Sequence, residues 1–366
     1  DLWKPLHEQF PPTKLDPNAT ARAYLRMRGL DPDLFKQEFI QSQRWEREAI
    51  REPKGTETVR FFLTKDKTVW WERFITVIDT PEKPKKAHFQ GSYKGLWWQP
   101  SGFLPETDDC VFLVEGILDA LSLLQSGFKA VSLMSSNNWP ETSLKPYLGK
   151  NIRWVMALDN DTAGQRYNLK YYHELSKLGE KVEVCTAPDK EKRDWNDLLK
   201  TSNGKINLED LKEWFYTGKL LTASNARAKA LLIVEHTKKH RFTFDYGNQL
   251  YAAKYSERDE DEPIQIESIA NCKPDFLYFQ KDKTTGDGFY FMRITRPGLN
   301  KPYMDVFAPS ALSSAGEFKN RLMNVGAGLM FTGNTKQLER HQQDYWFNKD
   351  QLPEVDTINF IGYAQE

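Results

Sequence analysis

Four short apolar runs, separated by stretches of helical periodicity, restrict the fold of this chain more than any other feature. CVFLV, KAVSLM, NIRWVMALD and KVEVCTA follow one another between residues 108 and 202. Between them lie GILDALSLLQSGF, the loop and helix NNWPETSLKPYLGK, and TAGQRYNLKYYHELSKLGE. Apolar runs of this length without alternation read as strands covered on both faces. Strands alternating with helices at this spacing form a parallel sheet flanked by helices. Residues 108–202 are therefore expected to be a small α/β unit, and ligands in such sheets gather at the carboxyl ends of the strands.

Acidic residues fall at three of those ends. In VEGILDAL, Glu115 closes the first strand and Asp119 follows four residues later, on one face of the next helix. In ALDNDTAG, Asp159 and Asp161 close the third strand, and RDWNDLL brings Asp194, Asn196 and Asp197 after the fourth. Carboxylates converging from several strand ends suit a hard divalent cation that keeps part of its shell for water or substrate phosphates. Other readings exist for each segment. A Glu-Gly pair is common at strand–helix junctions, and Asp161 and Asp194 stand where helix N-caps stand. The Asp-x-Asp-x-x-Gly spacing also opens a calcium loop, but that loop needs ligands where Ala163 and Lys170 occur. An aspartate-nucleophile phosphatase would carry Thr or Val at the place of Ala163.

The flanks differ from this core. Residues 1–107 read as a mixed α/β unit. A helix in NATARAYLRMRGL is capped by Asn18 or Thr20 and stopped at Gly29, and two strands surround the turn KDK. From Lys83 to Pro100 there is no acid. Lys83, Lys85, Lys86, His88 and Lys94 are interleaved there with Phe89, Tyr93, Trp97 and Trp98, a pattern that suits a track for single-stranded DNA. Residues 203–239 are expected to be a helical linker. Residues 240–366 read as a β-rich α+β domain with hairpins, a helix in SSAGEFKNRLMNV and a last strand in DTINFIGY, expected to connect to a helicase or to bind DNA; the acidic ERDEDEP reads as a solvated loop.

Composition adds limits. A chain of 366 residues exceeds the usual single core, and 51 Lys+Arg balance 51 Asp+Glu, so any basic surface must be local. Cys110, Cys185 and Cys272 are too scattered for a disulfide framework or a zinc module, which fits a reducing cytoplasm. No apolar run approaches the roughly 20 residues of a bilayer span. The first residue is Asp1 rather than Met, as expected of a fragment or a processed chain.

The ordered set VEGILDAL, ALDNDTAG and RDWNDLL resembles the Toprim domain of DNA primases, topoisomerases and certain nucleases. The aspartate four residues after the Glu, and ARAYLRMRGLDPDLFKQEFI upstream as a helix, RGL and a short helix, are similar to the bacterial primase branch. The resemblance implies a Toprim-type parallel sheet preceded by a primase subdomain. It also implies nucleotidyl transfer on single-stranded DNA with Mg²⁺ or Mn²⁺. Glu115, Asp119, Asp159, Asp161 and Asp194 would hold the metal, with Glu115 a ligand or a general base. Asn196 departs from the Asp-x-Asp of stand-alone primases, leaving Asp197 as a substitute ligand. Arg73, Lys85, Lys86, Lys94 and Arg166 would meet template or nucleotide phosphates. The implied partners are template, nucleoside triphosphates and a replicative helicase, fused or separate, with no membrane. No zinc-binding Cys/His cluster occurs in the chain, so that module either lies upstream of this fragment or the chain is a zinc-less primase of the kind found in mobile elements; no GxxxxGK[ST] loop occurs either, so no helicase motor is expected here. Strand cleavage by a Toprim nuclease is the rival activity.

Overall fold

A computed structural model describes residues 4–52, 54–188, 193–258, 262–283, 285–299, 301–348 and 352–357. The chain forms two compact units, Asp1–Thr222 and Ala223–Glu366. Among the described residues, no helix is long and apolar enough to cross a membrane.

The first unit begins with α1 (Leu6–Gln9), α2 (Ala19–Met27) and four strands, β1 (Phe39–Trp45), β2 (Gly55–Phe62), β3 (Trp70–Ile78) and β4 (Lys85–Gln90). These pair antiparallel in the order β1-β2-β3-β4. The residues after RGL depart from the sequence reading, because they make turns and then β1 instead of a short helix. The cause is visible at Gln41. Its Oε1 accepts the Ala21 N–H at 2.9 Å, and its own N–H donates to Asn18 Oδ1 at 2.7 Å. A free donor at the start of α2 is thus satisfied from β1, while neither Asn18 nor Thr20 caps the helix. Thr20 Oγ1 donates instead to Phe10 O at 2.8 Å.

The parallel sheet follows as β5 (Cys110–Val114), α3 (Ile117–Gln125), β6 (Lys129–Ser132), α4 (Glu141–Leu144), β7 (Arg153–Met156), α5 (Thr162–Lys177), β8 (Lys181–Val184), α6 (Trp195–Thr201) and α7 (Leu208–Leu221). The strand order is β6-β5-β7-β8, all parallel, so the small helix-flanked sheet expected from the sequence is present. Side chains of β5 alternate between two cores. Phe112 and Val114 join Val59, Phe61, Trp98, Trp195 and Trp214. Val111 and Leu113 join Trp97, Trp154, Met156 and Tyr171. The antiparallel and parallel sheets therefore share one apolar interior. Of the segment expected as a linker, α7 belongs here. It lies so close to β8 that a Cβ on Gly218 would come within 1.8 Å of Val184 O.

The second unit contains α8 (Ala226–Thr237) and a three-stranded antiparallel sheet, β9 (Arg241–Tyr246), β10 (Gln249–Tyr255) and β11 (Ile264–Ala270), in the order β11-β10-β9. Ala226, Ala230 and Val234 of α8 pack on Phe242, Phe244 and Ala253. A second sheet comprises β12 (Lys273–Asp282), β13 (Gly288–Thr295) and β14 (Tyr303–Phe307), followed in the chain by α9 (Ala315–Val325), α10 (Thr335–Asn348) and β15 (Glu354–Thr357). Its order is β14-β13-β12-β15, with β15 parallel to β12. The β-rich α+β character matches the sequence reading. Of the expected last strand, residues 358–363 lie outside the described residues, as do residues 259–261 of the acidic loop.

Candidate functional site

The topology places neighbouring strand ends side by side. β5 and β7 are adjacent, so Glu115, just past β5, stands beside the loop after β7 that carries Asp159 and Asp161. Local sequence fixes each acid. Asp161 caps α5, its Oδ1 accepting the Gly164 N–H at 2.7 Å. Gly164 is obligatory, because a Cβ there would sit 1.8 Å from the Asp159 carbonyl oxygen. Asp119 Oδ2 accepts the Gly116 N–H at 3.2 Å in the first turn of α3, and Asp194 caps α6 through the Asp197 N–H at 2.7 Å.

These acids act on one another. Burial, then Asp159, the Ser136 N–H in the opposite sense, and Asp161 set the Glu115 carboxyl, which is pushed up to about 7. Asp159 is pushed up to about 6 by burial and by the charges of Asp194 and Asp161. Asp119 is raised well above the ordinary range by burial, Asp194 and Asp159, against hydrogen bonds from the Gly116 and Asn196 N–H groups. Among the described residues, no cation acts on these carboxylates, which lie in a partly dry setting. Asp159 Oδ1 is buried with no hydrogen-bond partner, which also leaves a place for one.

A hard divalent cation fits this donor set. Among the described residues, however, no three His, Cys, Asp or Glu side chains converge closely enough to cage an ion by themselves. Mg²⁺ needs only one or two carboxylates and completes its octahedron with water and substrate phosphate. Glu115, Asp159, Asp161 and Asp194 are the residues that could contribute. Asp119 is better employed in holding the ends of α3 and α6, to which its carboxylate is bonded.

The third motif differs from the sequence expectation. Asn196 is buried, and its Nδ2 donates to Arg28 O at 2.8 Å and to Ser122 Oγ at 3.1 Å, tying α6 to α3 and to the end of α2. An aspartate could donate neither bond. Asp197 lies 3.7 Å from Lys200, and Asp197 is absent from the charges that raise Glu115, Asp119 and Asp159.

The basic candidates separate as well. Lys86 and Lys94 are exposed. Arg73, on β3, donates to the Tyr24 hydroxyl at 3.3 Å. Exposed Arg166 stacks over the Tyr167 ring at 4.9 Å and donates to its hydroxyl at 3.2 Å. Lys85 is paired with Glu46 at 3.0 Å and Glu48 at 3.6 Å. Trp97 and Trp98 are also buried in the two cores, which removes them from any stacking track, whereas Phe89 and Tyr93 stack at 4.4 Å and stay partly exposed.

One positioning residue escaped the sequence. Buried Asn138 donates to Leu96 O at 2.7 Å and Leu133 O at 2.8 Å, and accepts the Gly95 N–H at 3.1 Å. It thus clamps the turn bearing Lys94 to the loop after β6, the loop whose Ser136 N–H reaches Glu115. Its only sequence signal was an Asn among other polar loop residues.

Residues 112–199 match the family described as Toprim-like, so the α/β unit is a Toprim-like domain. No curated protein matches the chain. Similar solved structures include the E. coli primase catalytic core, at 16% identity over 65% of this chain and 85% of that one, with a TM-score of 0.39. A DNA primase domain from Pseudomonas aeruginosa gives 16% identity over 59% and 80%, with a TM-score of 0.37. The RNA polymerase domain of Mycobacterium tuberculosis primase in complex with double-stranded DNA gives 15% over 60% and 83%, with a TM-score of 0.37.

Proposed function

We propose that the first unit is the catalytic core of a primase that joins nucleotides on a single-stranded DNA template and serves a phage or mobile-element replication system with a fused or separate helicase. The observation that carries this reading is the mutual charge pressure among Glu115, Asp119, Asp159 and Asp194 at the carboxyl edge of a Toprim-like sheet. When bound there by Glu115, Asp159, Asp161 and Asp194, Mg²⁺ or Mn²⁺ would supply the positive charge that nucleotide phosphates and an ionising 3′-hydroxyl require. Glu115, with a carboxyl near neutrality, is suited to hold or accept a proton at that edge. Asp119 positions the helices that carry the other acids. Arg73, Lys86 and Lys94 are the cations for template or nucleotide phosphates, with Lys94 held in register by Asn138.

The test is primer synthesis from labelled nucleoside triphosphates on single-stranded DNA with Mg²⁺ or Mn²⁺. Wild type is expected to extend, and Asp159→Asn with Asp161→Asn to lose at least a hundredfold. Equal extension by that variant, or degradation of template in Mn²⁺ without any nucleotide, overturns the proposal; the latter outcome marks a nuclease.

A further inference from the structure

In the second unit, strand register sets Arg241 of β9 directly opposite Lys254 of β10, and Lys254 opposite Gln265 of β11. The next position on the same face carries Thr243, Ala252 and Glu267. Phe242 and Ala253 point the other way, into the core under α8. The first turns of α10 line this face, with Gln337 Nε2 donating to Glu267 Oε2 at 2.9 Å. The result is an open cavity of about 450 Å³ lined by Arg241, Lys254, Lys336 and Arg340 with a single acid, Glu267. Among the described residues, none of the four cations is ion-paired. Like charges directly opposite on paired strands repel, so an anion between Arg241 and Lys254 would relieve that repulsion.

We propose that this groove binds the sugar–phosphate backbone of single-stranded nucleic acid, without base preference. Phosphate is the anion that complements a row of Lys and Arg drawn from two strands and a helix. Arg241 faces Lys254 across two strands and Lys336 and Arg340 lie four residues apart on α10, an arrangement that suits successive phosphates of a chain. The only aromatic side chain in the lining, Phe242, is buried and faces the core, so nothing is offered for a base to stack on. The site lies outside the Toprim-like segment and does not depend on the activity proposed for it.

Binding of a fluorescent oligothymidylate to the full chain, measured by anisotropy against NaCl in EDTA, tests this. Single-stranded contacts contribute a slope of about −0.7 each in log K against log salt. Replacing all four cations (Arg241→Ala, Lys254→Ala, Lys336→Ala, Arg340→Ala) should make the slope shallower by about 2 to 3 and weaken binding at least tenfold. Arg241→Lys with Arg340→Lys should keep the wild-type slope, and Glu267→Gln should tighten binding. Should the fourfold variant unfold, Lys254→Glu, at an exposed position, replaces it. A photoreactive label on Gln265→Cys, at the groove, should crosslink to the oligonucleotide. A folded variant with wild-type affinity and slope, or a label that never crosslinks, overturns the site. Saturable binding of inorganic triphosphate with no effect of these substitutions on the oligonucleotide also overturns it.

Discussion

Replacing Asp159 with asparagine should make the metal-free protein more stable at neutral and basic pH while abolishing its response to magnesium. In the fold, the Asp159 carboxyl is raised from 3.8 to about 6, chiefly by burial and then by Asp194 and Asp161. A raised carboxyl favours the protonated state when folded. As pH rises from about 4, the unfolded chain ionises first and is favoured, and the penalty levels off above about pH 6. Two pH units correspond to roughly 3 kcal/mol, which solvent around this partly exposed group reduces to roughly 1–2 kcal/mol. Asp159→Asn removes that penalty and part of the pressure on Glu115 and Asp119. In EDTA, urea unfolding followed by tryptophan fluorescence should show the variant more stable by roughly 1–2 kcal/mol at pH 8, with no gain at pH 4. For a unit of this size the gain equals a few degrees of melting temperature, about 2–4 °C per kcal/mol. Wild type should gain about 2.7 kcal/mol from Mg²⁺ at a hundred times its dissociation constant, and the variant little. A variant no more stable than wild type at pH 8, or a gain independent of pH, would refute the view that these acids strain the fold in the absence of a cation.

Gly164→Ala should cost about 3 kcal/mol or more, because its Cβ would meet the Asp159 carbonyl at 1.8 Å, and the melting temperature and Mg²⁺ response should fall together. Asn196→Asp should restore the Asp-x-Asp pattern yet destabilise by about 3 kcal/mol at pH 8 and less at pH 5, since a carboxylate would face Arg28 O and Ser122 Oγ; chemical denaturation at the two pH values checks it. Asn138→Ala, which loses a buried clamp on the Lys94 turn, should cost about 1–3 kcal/mol in denaturant and weaken template binding beyond that of Lys94→Ala alone. Lys85→Ala should leave template affinity within twofold of wild type by anisotropy, whereas Lys86→Ala with Lys94→Ala should lower it severalfold.

What the sequence revealed of the site and what it concealed follow from one physical difference. The parallel strands are short and buried on both faces, so CVFLV and its three companions carry an unbroken apolar signal, and the acids at their ends stand out against it. The same local logic exposed the caps at Asp161 and Asp194. β1 gave no such signal, because FIQSQRW lies at a sheet edge and mixes polar with apolar side chains; only Gln41, reaching back twenty residues to α2, explains it. The contacts of Lys85 and Asn196 were hidden for a related reason. Their partners, Glu46 and Arg28, are remote in sequence, and charge or amide groups look available until the fold brings something to them.

The two-sided packing of β5 bears on how such a chain can be divided. Phe112 and Val114 meet Phe61 and Trp98 from before the Toprim-like segment, and Trp195 meets Trp214 from after it, with ring centres 4.4 Å apart. The stretch that bears the family likeness, 112–199, is therefore not a piece that could be cut out and remain folded. Its acidic edge and the antiparallel sheet before it are inherited as one body. Recombination that moves this segment into another chain has to carry the flanking tryptophans along with the acids.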